Sequence, residues 1–137
     1  MWWIYALFSA FFAALTAIFA KVGIKGVDTD LATAIRTVVI LVIAWAIAFV
    51  RGGASTISTL SKQNILFLCL SGIATGLSWI FYFKALQLGK VSQVAPVDKL
   101  SVALAIILSI LFLGEALTWK TGIGALLIIS GTIVLIL

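Results

Sequence analysis

Long apolar stretches separated by short polar connections dominate the chain. A helix needs about 20 residues to cross ~30 Å of hydrocarbon at about 1.5 Å per residue, and five stretches reach that length. The longest polar connection, residues 52–63, predicts a loop with a short interfacial turn. The pattern predicts an all-α membrane protein, a single domain over residues 1–137, with spans at about 3–22, 31–50, 64–86, 93–113 and 119–137.

The residues at the ends of these stretches predict where the helices begin and end. Asp30, Ser92 and Thr118 precede the second, fourth and fifth spans, and their side chains can accept hydrogen bonds from free helical N–H groups. Gly114 is predicted to end the fourth span. Pro96 lies in the first turns of that span, where the missing N–H is least harmful.

The composition supports the membrane assignment and excludes several classes of function. Of the 137 residues 64% are hydrophobic and 9% charged, whereas soluble domains have about 25% charged residues. The absence of histidine excludes histidine-based catalysis and metal binding, and the single cysteine, Cys69, cannot form an internal disulfide. We therefore expect no enzymatic activity, no metal and no cofactor, in a multi-pass protein of the cell (inner) membrane.

The net charge of +5 comes from single basic residues at the edges of the apolar stretches, which favours contact with lipid headgroups over nucleic acid. These residues are nearly balanced between the two sides of the membrane. The side of the N-terminus has Arg51, Lys62 and Lys120. The other side has Lys21, Lys25, Lys84 and Lys90, and Arg36 and Lys99 if residues within spans count. This balance allows insertion in both directions, or one orientation that the sequence indicates only weakly.

Polar and small residues recur at helical spacing in four of the spans. In the third span, Ser71, Thr75, Ser78 and Tyr82 follow one another at steps of four, three and four residues. Such a face lines a polar cavity, or it allows close packing between helices. The polar residues expected to line a cavity are Ser9, Thr16, Thr37, Ser71, Thr75, Ser78, Tyr82 and Ser101.

Charged residues within the spans favour a polar cavity over simple close packing of the helices. Arg36 and Asp98 lie about five residues into their helices, a shared depth of about 8 Å, and are expected to pair there. Lys99 can join them, whereas Lys84 is expected to extend towards the headgroups. The positive cluster would attract an anionic or zwitterionic solute through Arg36 and Lys99. The alternative is a purely structural ion pair.

Two glycine patterns predict contacts between helices. Gly72 and Gly76 form a GxxxG motif in the third span, which permits close approach of another helix. Gly124 and Gly131, seven residues apart, share one face of the fifth span. Neither the first nor the third span has an acidic residue in its interior, so nothing indicates proton coupling through an embedded acid.

The second half of the chain resembles the EamA domain of the drug/metabolite transporter superfamily. The first half agrees more loosely, through its small-residue first span and Ala34-Ile35-Arg36-Thr37. The motifs that carry the resemblance are Ala85-Leu86, Val94-Ala95-Pro96-Val97, Leu113-Gly114-Glu115, Leu117-Thr118 and the helix from Gly122 to Gly131.

Typical members of that superfamily have two such domains, inserted in opposite directions around a central cavity. The resemblance therefore implies a half-size transporter that pairs with an inverted copy of itself or with a sister chain. Gly124 and Gly131 resemble the dimerisation helix of the related small multidrug resistance proteins, which implies a dimer interface there. The embedded glutamate of those proteins has no counterpart in this chain, so their antiport mechanism is not implied.

These observations predict a transporter of small metabolites that works by alternating access as an antiparallel homodimer. The substrates expected are amino-acid-like or other anionic or zwitterionic solutes, or drugs, and the other partners are membrane lipid and the second copy. The alternative is a non-transporting membrane anchor or accessory subunit of a larger complex.

Overall fold

The computed structural model describes residues 1–137 and contains helices but no strands. A 3₁₀ helix over Gly53–Thr59 lies in the long polar connection, as predicted. Five helical stretches are long and apolar enough to cross a membrane, which confirms the fold class. The helices are α1 (Trp2–Gly23), α2 (Thr29–Val50), α3 (Lys62–Leu88), α4 (Val91–Asp98), α5 (Leu100–Leu113) and α6 (Trp119–Ile136), with α4 and α5 together forming the fourth span.

Several helices extend beyond the predicted spans. α3 begins at Lys62 and ends at Leu88, two residues beyond the expected stretch at each end. Polar residues at the ends of a span can reach the headgroup region and continue the helical hydrogen bonds there. Hydropathy detects only the part of a helix that lies in hydrocarbon, so it underestimates these helices.

Two of the four predicted end signals are confirmed, and two are wrong. The Thr118 hydroxyl accepts a hydrogen bond from the Thr121 N–H (3.2 Å), and Gly114 ends α5 with a φ of 68°. α2 is capped by Asp28 and not by Asp30, which lies in the first helical turn. α4 begins after Lys90 without a side-chain cap, so Ser92 is not the N-cap.

The fourth span is interrupted at Lys99, where a continuous helix was predicted. The Lys99 N–H donates to the Pro96 carbonyl (3.0 Å) as well as the Ala95 carbonyl (3.3 Å), and the Val102 N–H donates to the Lys99 carbonyl (3.0 Å). The bonds from Lys99 to Pro96 and from Val102 to Lys99 each span three residues, which is typical of a tightened turn. Pro96 has no N–H to donate to the Ser92 carbonyl, so the short helix before the break has one bond fewer.

The chain divides into two compact units, which are described separately. The first contains residues 1–18 and 88–137. In it α4 and α5 pack against α6, with Ala103 and Thr132 buried. The Thr132 hydroxyl lies 2.8 Å from the Ile128 carbonyl oxygen and 3.3 Å from the Pro96 carbonyl oxygen. This hydroxyl therefore links α6 to α4 just before the break.

The second unit, residues 19–87, is held together near one end of α3. Lys21 Nζ donates to the Leu86 carbonyl, and Gln87 Nε2 donates to the Val27 carbonyl (3.2 Å). These bonds connect the last turn of α3 to the end of α1 and to the loop that follows it. The buried residues of this unit are Ile24, Thr29, Thr33, Phe83 and Leu86.

Most apolar side chains along the five spans are exposed in the single chain. In the most apolar part of each span, no more than 6% of the residues are buried. Soluble proteins do not leave so much apolar surface in contact with water. This surface suits lipid or another membrane helix, and the chain is a multi-pass membrane protein.

Candidate functional site

Arg36 lies within a membrane span, against aromatic rings. It is on α2, seven residues after Thr29, and its guanidinium carbon lies 4.4 Å from the ring centroid of Trp79 and 4.9 Å from that of Phe83. Trp79 and Phe83 are four residues apart on α3, so both rings project from one face of that helix. Rings at these distances stabilise a cation through their electron-rich faces, most strongly where water is excluded.

The two charges expected to pair in the membrane have other partners. Asp98 forms an ion pair with the adjacent Lys99, with 3.2 Å between Nζ and Oδ2. Arg36 forms no ion pair, and its contacts are with aromatic residues. Asp98 and Lys99 are neighbours at the break between α4 and α5, where the irregular turn brings their side chains together. The Lys99 side chain is more than half exposed, so this pair contributes little to stability.

Two of the predicted cavity hydroxyls are bonded within their own helices. Thr37 Oγ1 donates to the Thr33 carbonyl (2.8 Å), and Thr75 Oγ1 donates to the Ser71 carbonyl (2.9 Å). Such bonds satisfy the hydroxyl proton and leave the oxygen lone pairs free to accept from a solute. The row Ser71, Thr75 and Ser78 is exposed on α3, which leaves it accessible.

Of the predicted residues, the structure places Tyr82 near Arg36, and it divides the others between the two units. The hydroxyl row of α3 runs beside the aromatic partners of Arg36, because Ser78 and Tyr82 precede Trp79 and Phe83 directly. Tyr82 is half-buried and interacts electrostatically with Arg36. The unit of residues 19–87 holds Arg36, Thr37, Ser71, Thr75, Ser78 and Tyr82, and the other unit holds Ser9, Thr16, Asp98, Lys99 and Ser101. That both sets line one cavity stays a prediction.

The glycine patterns face open space within the chain. A Cβ atom added at Gly124 or Gly131 would meet no atom within 4 Å, so this face of α6 is free to contact another molecule. The same is true of Gly72 and Gly76, so the contact predicted from the GxxxG motif is not made within the chain. An apolar groove of about 470 Å³ is also lined by residues between Leu117 and Ile129, at the start of α6 and just before it.

The aromatic partners of Arg36 were not predicted as such from the sequence. Helix lengths could have found them: Arg36 lies about 10 Å from the start of α2, and Trp79 and Phe83 lie about 14 and 8 Å from the end of α3. If α2 starts on the side of the membrane where α3 ends, the depth of Arg36 falls between the depths of the two rings.

Comparison with known proteins gives one family and two relatives. The EamA-like transporter family matches residues 1–137. An uncharacterized transporter encoded in the cobO 3' region of a Sinorhizobium species is 48% identical over 134 residues, covering 98% of this chain and 95% of the relative. An uncharacterized protein of Methanocaldococcus jannaschii is 38% identical over 77 residues, covering 56% of each chain. No solved structure matches.

Proposed function

Because this chain belongs to the EamA-like transporter family, we propose that it moves small metabolites across the membrane by alternating access. The substrates are anionic or zwitterionic solutes, such as amino-acid-like compounds, or drugs. The observation that carries this proposal is Arg36, a cation within a span whose contacts are aromatic rings and whose charge no acidic residue pairs. Ionisable residues in a membrane span are costly and mark solute pathways.

The transporting unit in this proposal is a homodimer of two oppositely oriented copies. Its support is the near balance of basic residues across the membrane and the open glycine face of α6. The spans also expose much apolar surface in the single chain, and a second copy could cover part of it. The cavity would lie between the copies near the membrane midplane, where transporters with inverted repeats bind their substrates.

Each residue of the proposed lining has a role set by its chemistry. Arg36 attracts the anionic group, with Lys99 as a second cation at the cavity mouth. Asp98, which pairs with Lys99, moderates that second charge. The hydroxyl groups form hydrogen bonds with the rest of the solute. They belong to Ser9, Thr16, Thr37, Ser71, Thr75, Ser78, Tyr82 and Ser101. Gly124 and Gly131 form the dimer contact.

The test is uptake by the purified protein in sealed proteoliposomes, with radiolabelled amino acids and small carboxylates inside and outside. The wild-type chain is expected to exchange at least one of them. Arg36→Leu should abolish that exchange without changing dimer formation, because it removes the charge and keeps the apolar stem. Arg51→Leu, at the end of α2, is the matched control and should leave exchange intact.

Two results would contradict the proposal. Full exchange by Arg36→Leu would remove the role assigned to Arg36. No movement of any solute by the wild-type protein, in vesicles shown to be sealed and to contain folded protein, would favour an accessory subunit.

A further inference from the structure

The Arg36 guanidinium forms no hydrogen bond within the chain, although Tyr82 interacts with it electrostatically. The guanidinium group has five N–H donors in a planar fork. Its neighbours at 4.4 and 4.9 Å are the rings of Trp79 and Phe83, which offer a π face and no oxygen acceptor. Phe83 is 1% exposed, so this side of the group is shielded from water. The rings can stabilise the charge, but they leave the N–H groups available.

The acidic residues of the same unit do not neutralise this charge. They are Asp28 and Asp30, at the start of α2. Asp28 Oδ1 accepts hydrogen bonds from the Asp30 and Leu31 N–H groups, both at 3.0 Å, and so it caps the helix. Asp30 precedes Arg36 by six residues, about 9 Å along the helix axis and on a different side of it. The region around Arg36 therefore carries net positive charge.

A carboxylate is the group that best matches these unused donors. Arginine binds carboxylates through two parallel N–H···O bonds, and burial strengthens such charged bonds. An ammonium group would need acceptors, and here it would find only hydroxyls and a repelling cation. The aromatic rings favour an apolar or aromatic part next to the carboxylate.

We propose that Arg36, held between α2 and α3 by Trp79 and Phe83, is the receptor for the carboxylate of an organic monoanion, and that this site discriminates against cationic solutes. The part that this site would play in transport rests on the proposed function. The site narrows the proposed substrates to organic monoanions that carry a carboxylate. Arg36 is the binding residue. Trp79 and Phe83 are positioning residues, since they act through the guanidinium.

Three probes of the same shape and different charge test this directly: 3-phenylpropanoate, phenylalanine and 3-phenylpropylamine. Their binding to the full chain in lipid nanodiscs is measured by calorimetry. We expect saturable binding of 3-phenylpropanoate, weaker binding of phenylalanine and no binding of 3-phenylpropylamine. Binding of the amine as tight as that of the propanoate, or no binding of the propanoate, would overturn the proposal.

Two substitutions of Arg36 distinguish the contribution of its positive charge from that of its paired N–H donors. Arg36→Lys keeps the charge but loses the two parallel bonds, so 3-phenylpropanoate should bind about tenfold more weakly, a factor equivalent to ~1.4 kcal/mol. Arg36→Gln should abolish binding. Arg51→Gln is the control for loss of a cation outside the site. Unchanged binding by Arg36→Gln would overturn the proposal.

The positioning role is tested at Trp79. Trp79→Phe keeps a π face, whereas Trp79→Leu removes it, so only the leucine variant should lose the preference for the propanoate over phenylalanine. Circular dichroism confirms that both variants are folded. Equal loss of this preference in the two variants, or no loss in either, would contradict a role for the π face.

Transport measured in parallel distinguishes failure of this inference from failure of the proposed function. Binding of the propanoate without movement of any solute would leave the receptor intact and refute transport by the chain alone. Uptake of 3-phenylpropylamine in preference to the propanoate would keep the transporter and refute the receptor.

Discussion

At the scale of single residues, Asp28 shows how one carboxylate fixes the start of a membrane helix. Its Oδ1 atom accepts from two N–H groups of the first turn of α2, at 3.0 Å each. Those N–H groups would otherwise have no partner in the helix. Asp30 lies two residues later, within the helix, where its side chain cannot cap. The sequence Asp-Thr-Asp offers two carboxylates, and composition alone could not choose between them.

Asp28→Ala should lower the free energy of unfolding by about 1 kcal/mol, the usual cost of losing an N-cap side chain. Asp30→Ala is the matched control and should change it by less than about 0.5 kcal/mol, since it loses only a favourable position near the helix N-terminus. Unfolding in mixed detergent micelles, followed by circular dichroism, measures both. A larger loss for Asp30→Ala would show that Asp30 is the cap.

The residues of the candidate site could be predicted only in part. The hydroxyl row of α3 follows from helical spacing, and the cost of a buried charge singles out Arg36. The partner of Arg36 did not follow, because a cation in a membrane can be stabilised by a carboxylate or by aromatic rings. Only the fold shows that Trp79 and Phe83 lie against it.

At the scale of secondary structure elements, the break between α4 and α5 is the feature with the clearest consequence. The turn at Lys99 uses i→i+3 bonds, and the Ser92 carbonyl receives no hydrogen bond from Pro96. Discontinuous helices of this kind occur at the binding sites of many transporters. In this chain the break carries Asp98 and Lys99, both assigned to the proposed lining, and Thr132 connects the helix before it to α6.

Pro96→Ala should slow solute exchange while keeping the chain folded. Alanine supplies an N–H for the Ser92 carbonyl, a bond that contributes about 0.5–1.5 kcal/mol. If that bond must open during the transport cycle, the rate falls roughly two- to tenfold. Exchange in proteoliposomes measures the rate, and Ser92→Ala, which keeps the carbonyl, is the control. A rate equal to or above that of the wild type would show that this part of the fourth span does not open during transport.

The five spans could be predicted from sequence because length and hydropathy are strong signals for crossing a bilayer. The two ends of α3 and the interruption at Lys99 could not be predicted from the sequence. Polar residues continue a helix into the headgroup region, and a proline near the start of a span is compatible both with a continuous helix and with a broken one.

At the scale of the whole molecule, we propose that the transporting unit consists of two copies in opposite orientations. α6 suggests how they would meet. Gly124 and Gly131 lie at equal distances from the middle of the helix, which falls between Leu127 and Ile128. In an antiparallel pair of α6 helices crossing at that point, Gly124 of one copy faces Gly131 of the other. In a parallel pair, each glycine faces itself.

Disulfide cross-linking between single-cysteine copies distinguishes the two arrangements most directly. Lys120 and Leu135 are exposed, each lies four residues from a glycine on the glycine face, and they are also equidistant from the middle of α6. In a background with Cys69→Ala, a copy with Lys120→Cys and one with Leu135→Cys are coexpressed and oxidised in the membrane. We predict a mixed 120–135 disulfide and no 120–120 disulfide. A 120–120 disulfide without the mixed product would contradict the antiparallel pair.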